Sequence, residues 1–143
     1  MPNFRFQKIF MKKIFFIIGL TMAGLIIMAF AYQNNKAVKH IVVFKYKSTA
    51  TPAQIDQVTS AFLDLKHKIP GITSFEYGVN NIPENLNKGF THVYLLTFKN
   101  AQSRDNYLPH PEHKKFGELL GKLGVLEEPF VVDFEVQNVS SAK

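Results

Sequence analysis

Between Lys39 and Lys47 the chain reads as one strand, with His40, Val42, Phe44 and Tyr46 on one face and Ile41 and Val43 on the other. Thr91 to Lys99 repeats the pattern: His92, Tyr94, Leu96 and Phe98 on one side, Val93 and Leu95 on the other. Strands apolar on both faces belong inside a sheet whose two faces are both covered. Helices of the same chain can cover only one of them, so the other requires a partner.

The remaining elements fix the order. Thr51 is placed to cap a helix that opens on Pro52, and Ile55, Val58, Phe62, Leu65 and Ile69 recur three and four residues apart as a single buried stripe. Pro70-Gly71 stops that helix, and Ile72 to Val79 follows as a second strand. Asn80 to Gly89, with Pro83 and four asparagines, is a surface connection. After the third strand, Ala101 to Tyr107 is a short helical turn, and Pro111 to Leu123 is a helix buried through Phe116, Leu119, Leu120 and Leu123. Pro129 to Gln137 is the closing strand, and the polar tail from Asn138 is expected to fray. This is the α+β, ferredoxin-like βαββαβ pattern: an antiparallel sheet with helices on one face, whose bare face predicts a homodimer.

The chain has 143 residues and a formal charge of +6, but Arg5, Lys8, Lys12 and Lys13 precede residue 14. From Tyr32 onward 13 basic and 11 acidic residues remain, a charge of +2, which implies no nucleic-acid partner. There is no cysteine, hence no disulfide, thiolate nucleophile or Cys-based metal site. Lys12-Lys13, the uncharged run Ile14 to Ala31 and the ending Ala29-Phe30-Ala31 form a secretory signal pattern with Met1 or Met11 as start. The expectation is an exported, periplasmic or secreted protein cleaved after Ala31. The alternative is a membrane anchor over residues 14–31, since eighteen apolar residues just span a bilayer. Residues 32–38 then link the leader to a domain over 39–137, with 138–143 as tail.

Three of the five histidines lie between His92 and His113. Pro109 and Pro111 bracket His110, which therefore reads as an N-cap, with Pro111, Glu112 and His113 as the first helical turn. The positive end of a helix keeps imidazole neutral and able to accept a proton. Tyr107, six residues before His113 across the turn, is within reach of an oxygen held beside that base. His40 and His92, on neighbouring strands, are placed to face each other in the cleft under the helices, where such a pair binds a ligand or is simply satisfied within an apolar cavity. His110-x-x-His113 supplies at most two metal ligands, and with no H-E-x-x-H no metal site is expected.

Five ordered motifs resemble the stress-responsive A/B barrel (Dabb) family of the dimeric α+β barrels: Lys39 to Lys47, Ile69-Pro70-Gly71, Gly89-Phe90-Thr91-His92, Tyr107-Leu108-Pro109-His110-Pro111-Glu112-His113, and Val132-Asp133-Phe134. The resemblance covers Val38 to about Val136. It implies that the bare sheets of two subunits pack into a barrel and that the cleft between sheet and helices holds the ligand. One plant member is a polyketide cyclase whose matching histidine and tyrosine carry out an aldol condensation. By that resemblance His113 is a general base and Tyr107 the oxyanion partner, with no cofactor required; placement on the strands and the turn adds His40, His92 and His110 as expected lining of the ligand site. Two classes follow: a module binding a small apolar or aromatic molecule, or a cofactor-independent lyase or cyclase. The leader weighs toward the binding module, since a polyketide would be made in the cytoplasm.

Overall fold

In the computed structural model, which describes residues 15–28 and 36–137, β1 (Val38–Tyr46) lies inside a four-stranded antiparallel sheet. The strand order is β2 (Ile72–Val79), β3 (His92–Phe98), β1, β4 (Leu126–Glu135). This is the ferredoxin-like arrangement. The register pairs Phe44 with His92, Val42 with Tyr94 and His40 with Leu96, which puts the even-numbered residues of both central strands on one face. Val38, His40, Val42, Phe44, Tyr94, Leu96 and Phe98 are buried there.

That face is covered by α1 (Pro52–Lys68) and α3 (Pro111–Leu123), joined on the way by the short α2 (Ala101–Tyr107). Thr51 caps α1 with a full capping box, its hydroxyl accepting from the Gln54 N–H while the Gln54 side chain accepts from the Thr51 N–H. Val58, Phe62, Leu65 and Ile69 are buried as the stripe predicts, and Ile55 is only half-buried. Phe62 is the hub of the core. Its ring stacks on Phe44 and Phe116, with centroids at 5.9 and 4.5 Å, and meets Phe75 edge-on at 5.0 Å. Of the apolar residues expected to be buried on α3 only Phe116 is fully so. Leu119, Leu120 and Leu123 are half-buried.

Thr59, which the stripe of aliphatics does not include, is also buried, and its hydroxyl bonds that of Tyr94 at 2.8 Å. Gly71, at φ 95°, lets β2 start directly under α2, for a Cβ there would lie 2.6 Å from Cβ of Ser103. The last strand begins at Leu126, earlier than the expected Pro129, and ends at Glu135. Pro129 is tolerated because the Phe44 carbonyl opposite is taken by the Thr91 N–H on the β3 side. Position 129 therefore owes β1 no hydrogen bond.

The other sheet face is not covered by any helix of the domain. Ile41, Val43, Val93 and Leu95 are half-buried there, and on β4 Phe130, Val132 and Phe134 are exposed. The N-terminal residues belong to a separate unit, in which residues 15–28 are helical and exposed. Among the described residues no helix is long and apolar enough to cross a membrane. The Ala29-Phe30-Ala31 ending, the first residues of the linker and the tail from Asn138 lie outside the described residues.

Candidate functional site

The turn from α2 into α3 sets the geometry. Asn100 caps α2 by accepting from the Ser103 N–H, and α2 ends at Tyr107. The His110 N–H then returns to the Tyr107 carbonyl at 3.0 Å, and His110 caps α3 with Nδ1 accepting from the Glu112 N–H at 3.2 Å. This tight reversal brings the rings of Tyr107 and His113 to a centroid distance of 4.3 Å.

His113 Nδ1 lies 3.0 Å from the Leu108 carbonyl. A carbonyl can only accept, so Nδ1 carries the proton and Nε2 is the basic nitrogen. Burial lowers the His113 pKa; the Leu108 bond opposes this and neighbouring His40 adds to it. Tyr107 is fully buried, and its hydroxyl has no hydrogen-bond partner among the described residues. Burial pushes its phenol far above the ordinary range, with the Asp133 charge adding to the effect, so it stays protonated as a donor.

His40 closes the third side, its ring edge-on to Tyr107 at 5.8 Å. Its Nδ1 lies 2.5 Å from Asp133 Oδ1, and Asp133 Oδ2 accepts from Arg104 Nη1 at 2.8 Å. Burial alone would raise the Asp133 carboxyl. The bonds from His40 and Arg104 outweigh it and hold the carboxyl below the usual range.

His40, Tyr107 and His113 together line a cavity of about 260 Å³ whose walls are otherwise apolar, supplied by Phe44, Phe62, Phe116, Leu120 and Val131. His110 and His92 do not line it. His110 is spent on the helix cap. His92 shares the helix-covered face with His40 but sits four register positions away, roughly 13 Å at about 3.3 Å per residue. The two do not face each other, contrary to the expectation from neighbouring strands. His92 bonds the Thr91 hydroxyl at 2.7 Å and packs edge-on to Tyr46 and stacked on Tyr77. Burial lowers its pKa, opposed by the charge of Asp56. Among the described residues no three His, Asp or Glu groups gather around a common point that could hold a metal.

The family model of the stress responsive A/B barrel domain, Dabb, matches residues 38–136, the whole sheet with its helices. The chain belongs to the Dabb family. Olivetolic acid cyclase from Cannabis sativa is 31% identical over 83 residues, covering 58% of this chain and 82% of that one. Among solved structures, hydroxynitrile lyase from Passiflora edulis superposes with a TM-score of 0.66 at 26% identity, over 73% of this chain and 97% of that one. A dimeric protein of unknown function with a ferredoxin-like fold, from Bacteroides fragilis, does so with a TM-score of 0.55 at 29% identity, over 70% and 96%. Some Dabb relatives are thus enzymes, and others are dimers without known activity.

In this Dabb chain Arg104 and Asp133 join the site without having been expected there, Asp133 having figured only within the Val132-Asp133-Phe134 motif. A signal was present for Asp133: in Phe130-Val131-Val132-Asp133-Phe134 it shares a face with Val131, and that face packs toward the helices. An acid on that side of the strand is set against the polar group that the neighbouring strand presents opposite it, here His40. Nothing local marks Arg104.

Proposed function

We propose that this Dabb protein binds a small apolar or aromatic compound carrying a carbonyl or phenolic oxygen in the cavity of Tyr107, His113 and His40. The observation that supports it is the Tyr107 hydroxyl, fully buried in the cavity wall with no partner among the described residues. An unpaired buried donor costs about 1–3 kcal/mol, and a ligand oxygen set against it recovers that cost. A cavity of about 150 Å³ accepts benzene, so the volume here suits one substituted ring. A thermal-shift screen of aromatic aldehydes and ketones tests the reading. Compounds should raise the Tm of the parent and lose most of that effect with Tyr107→Phe; a library without any hit would dismiss the proposal.

A second reading, a cofactor-independent lyase or cyclase of aldol type, is favoured by the His113 tautomer. Nε2 would remove a proton from carbon beside a carbonyl, while the Tyr107 hydroxyl donates to the oxygen on which negative charge develops. Relatives named as a cyclase and a lyase are in keeping with it. Under this reading His113→Ala lowers kcat by about 10²- to 10⁴-fold with little change in affinity. Under pure binding, affinity falls and the parent shows no turnover.

The bare sheet face and the dimeric Bacteroides relative support a homodimer. The Lys12-Lys13 flank and the apolar run before Ala31 support export, with the mature chain beginning near Tyr32. N-terminal sequencing of the protein from its source should find that start; Met1 or Met11 retained in the membrane fraction would instead mean an anchor.

A further inference from the structure

We propose that Arg104 and Asp133 are positioning residues that make His40 a hydrogen-bond acceptor toward the cavity, so that the site selects ligands bearing a hydroxyl as well as a carbonyl. The inference rests on the binding reading above. It begins with a chain of three side chains from the domain surface to the cavity wall. Arg104, one quarter exposed, bonds Asp133 Oδ2 at 2.8 Å and Asp105 at 2.8 Å, which fixes the guanidinium between two carboxylates. Asp133 then turns Oδ1 to His40 Nδ1. An ionised carboxylate only accepts, so Nδ1 must carry a proton and the lone pair of the neutral ring lies on Nε2. Nε2 has no hydrogen-bond partner among the described residues, and His40 lines the same cavity as Tyr107. With the His40 side chain only 7% exposed, the cavity is what Nε2 can reach.

The polar lining is therefore asymmetric. Tyr107 can offer a proton to a carbonyl oxygen, while His40 Nε2 can take a hydrogen bond from a hydroxyl. A ligand with one of each satisfies both, and an O-methylated analogue leaves Nε2 unpaired. A site built to bond a ligand hydroxyl rejects analogues lacking it strongly, because its own polar group is stranded. The lock needs Arg104. Without it Asp133 keeps one bond and is free to turn toward water, and the two tautomers of His40 come closer in energy.

The test uses acetophenone, its three hydroxy isomers and their methoxy counterparts on the folded protein, alongside 15N NMR of the histidine rings near neutral pH. The spectrum should show His40 protonated at Nδ1 and bare at Nε2, and at least one hydroxyacetophenone should bind about tenfold more tightly than its methoxy counterpart. Arg104→Met and Asp133→Asn should abolish that preference and mix the tautomers while leaving acetophenone affinity within about twofold. Arg104→Lys, which keeps a charge beside Asp133, should restore most of it. A His40 ring protonated at Nε2 in the parent overturns the proposal, as does a hydroxyl preference that survives both substitutions. If no acetophenone binds at all, the cavity reading fails, and the tautomer arm still decides whether the clamp sets His40. Should Asp133→Asn fail to fold, the Arg104 pair carries the comparison.

Discussion

Two side chains at the cavity carry costs that can be measured. The Tyr107 hydroxyl is buried without a partner among the described residues, so deleting it removes a desolvation penalty and leaves the ring packed against Phe98 and His113. Tyr107→Phe should be at least as stable as the parent in thermal melts; a loss above about 1 kcal/mol would mean that the hydroxyl is already paired. His113 is harder to protonate folded than unfolded, because burial lowers its pKa from the ordinary 6.5. Above that value the ring is neutral in both states and contributes nothing. Below it the unfolded chain takes up the proton first, so stability falls as pH falls from about 6.5 downward. His92, shifted in the same direction, adds to this. Urea titrations of His113→Gln across that range should show a shallower fall than the parent, and an unchanged slope would refute the assignment.

At the level of elements, the site depends on where α2 begins. The positive φ of Gly71 and its contact with Ser103 allow β2 and α2 to meet with no space between them. Gly71→Ala pushes a Cβ to 2.6 Å from Cβ of Ser103, on a backbone that already disfavours any side chain. The substitution should cost more than about 1 kcal/mol in denaturant unfolding and weaken ligand binding as well, since Tyr107 ends that same helix. A variant of parental stability would show that α2 slides without consequence. Here the sequence was legible: Pro70-Gly71 reads as a helix stop, and the structure adds the reason that it must be glycine. The caps at Thr51 and His110 were legible for the same reason, each being a contact within three residues, and the structure adds the reciprocal Gln54 bond at Thr51.

For the whole molecule the decisive feature is the uncovered sheet face. A long apolar edge strand such as β4, with Phe130 53% and Phe134 47% exposed, invites pairing unless something buries it. A second copy related by a twofold axis does so with the same residues on each side. Val132→Lys places a charge within that patch. It should convert the species seen by sedimentation at micromolar concentration from dimer to monomer, with the fold retained by circular dichroism. A parent that already sediments as a soluble, folded monomer would end the dimer proposal.

The sequence alone determined the elements, their order, the face each presents and the turn that joins Tyr107 to His113, because all of these are periodicities or contacts spanning a few residues. It also showed that the sheet has more apolar surface than its helices can cover. Tertiary structure alone decided which polar groups meet. His40 and Asp133 are 93 positions apart, and only the register of β1 against β4 sets them side by side. The same register separates His40 from His92, although both point under the helices. Strand register is settled by packing of the entire sheet, and shifting it by two residues would keep every apolar face in place while changing every polar pair.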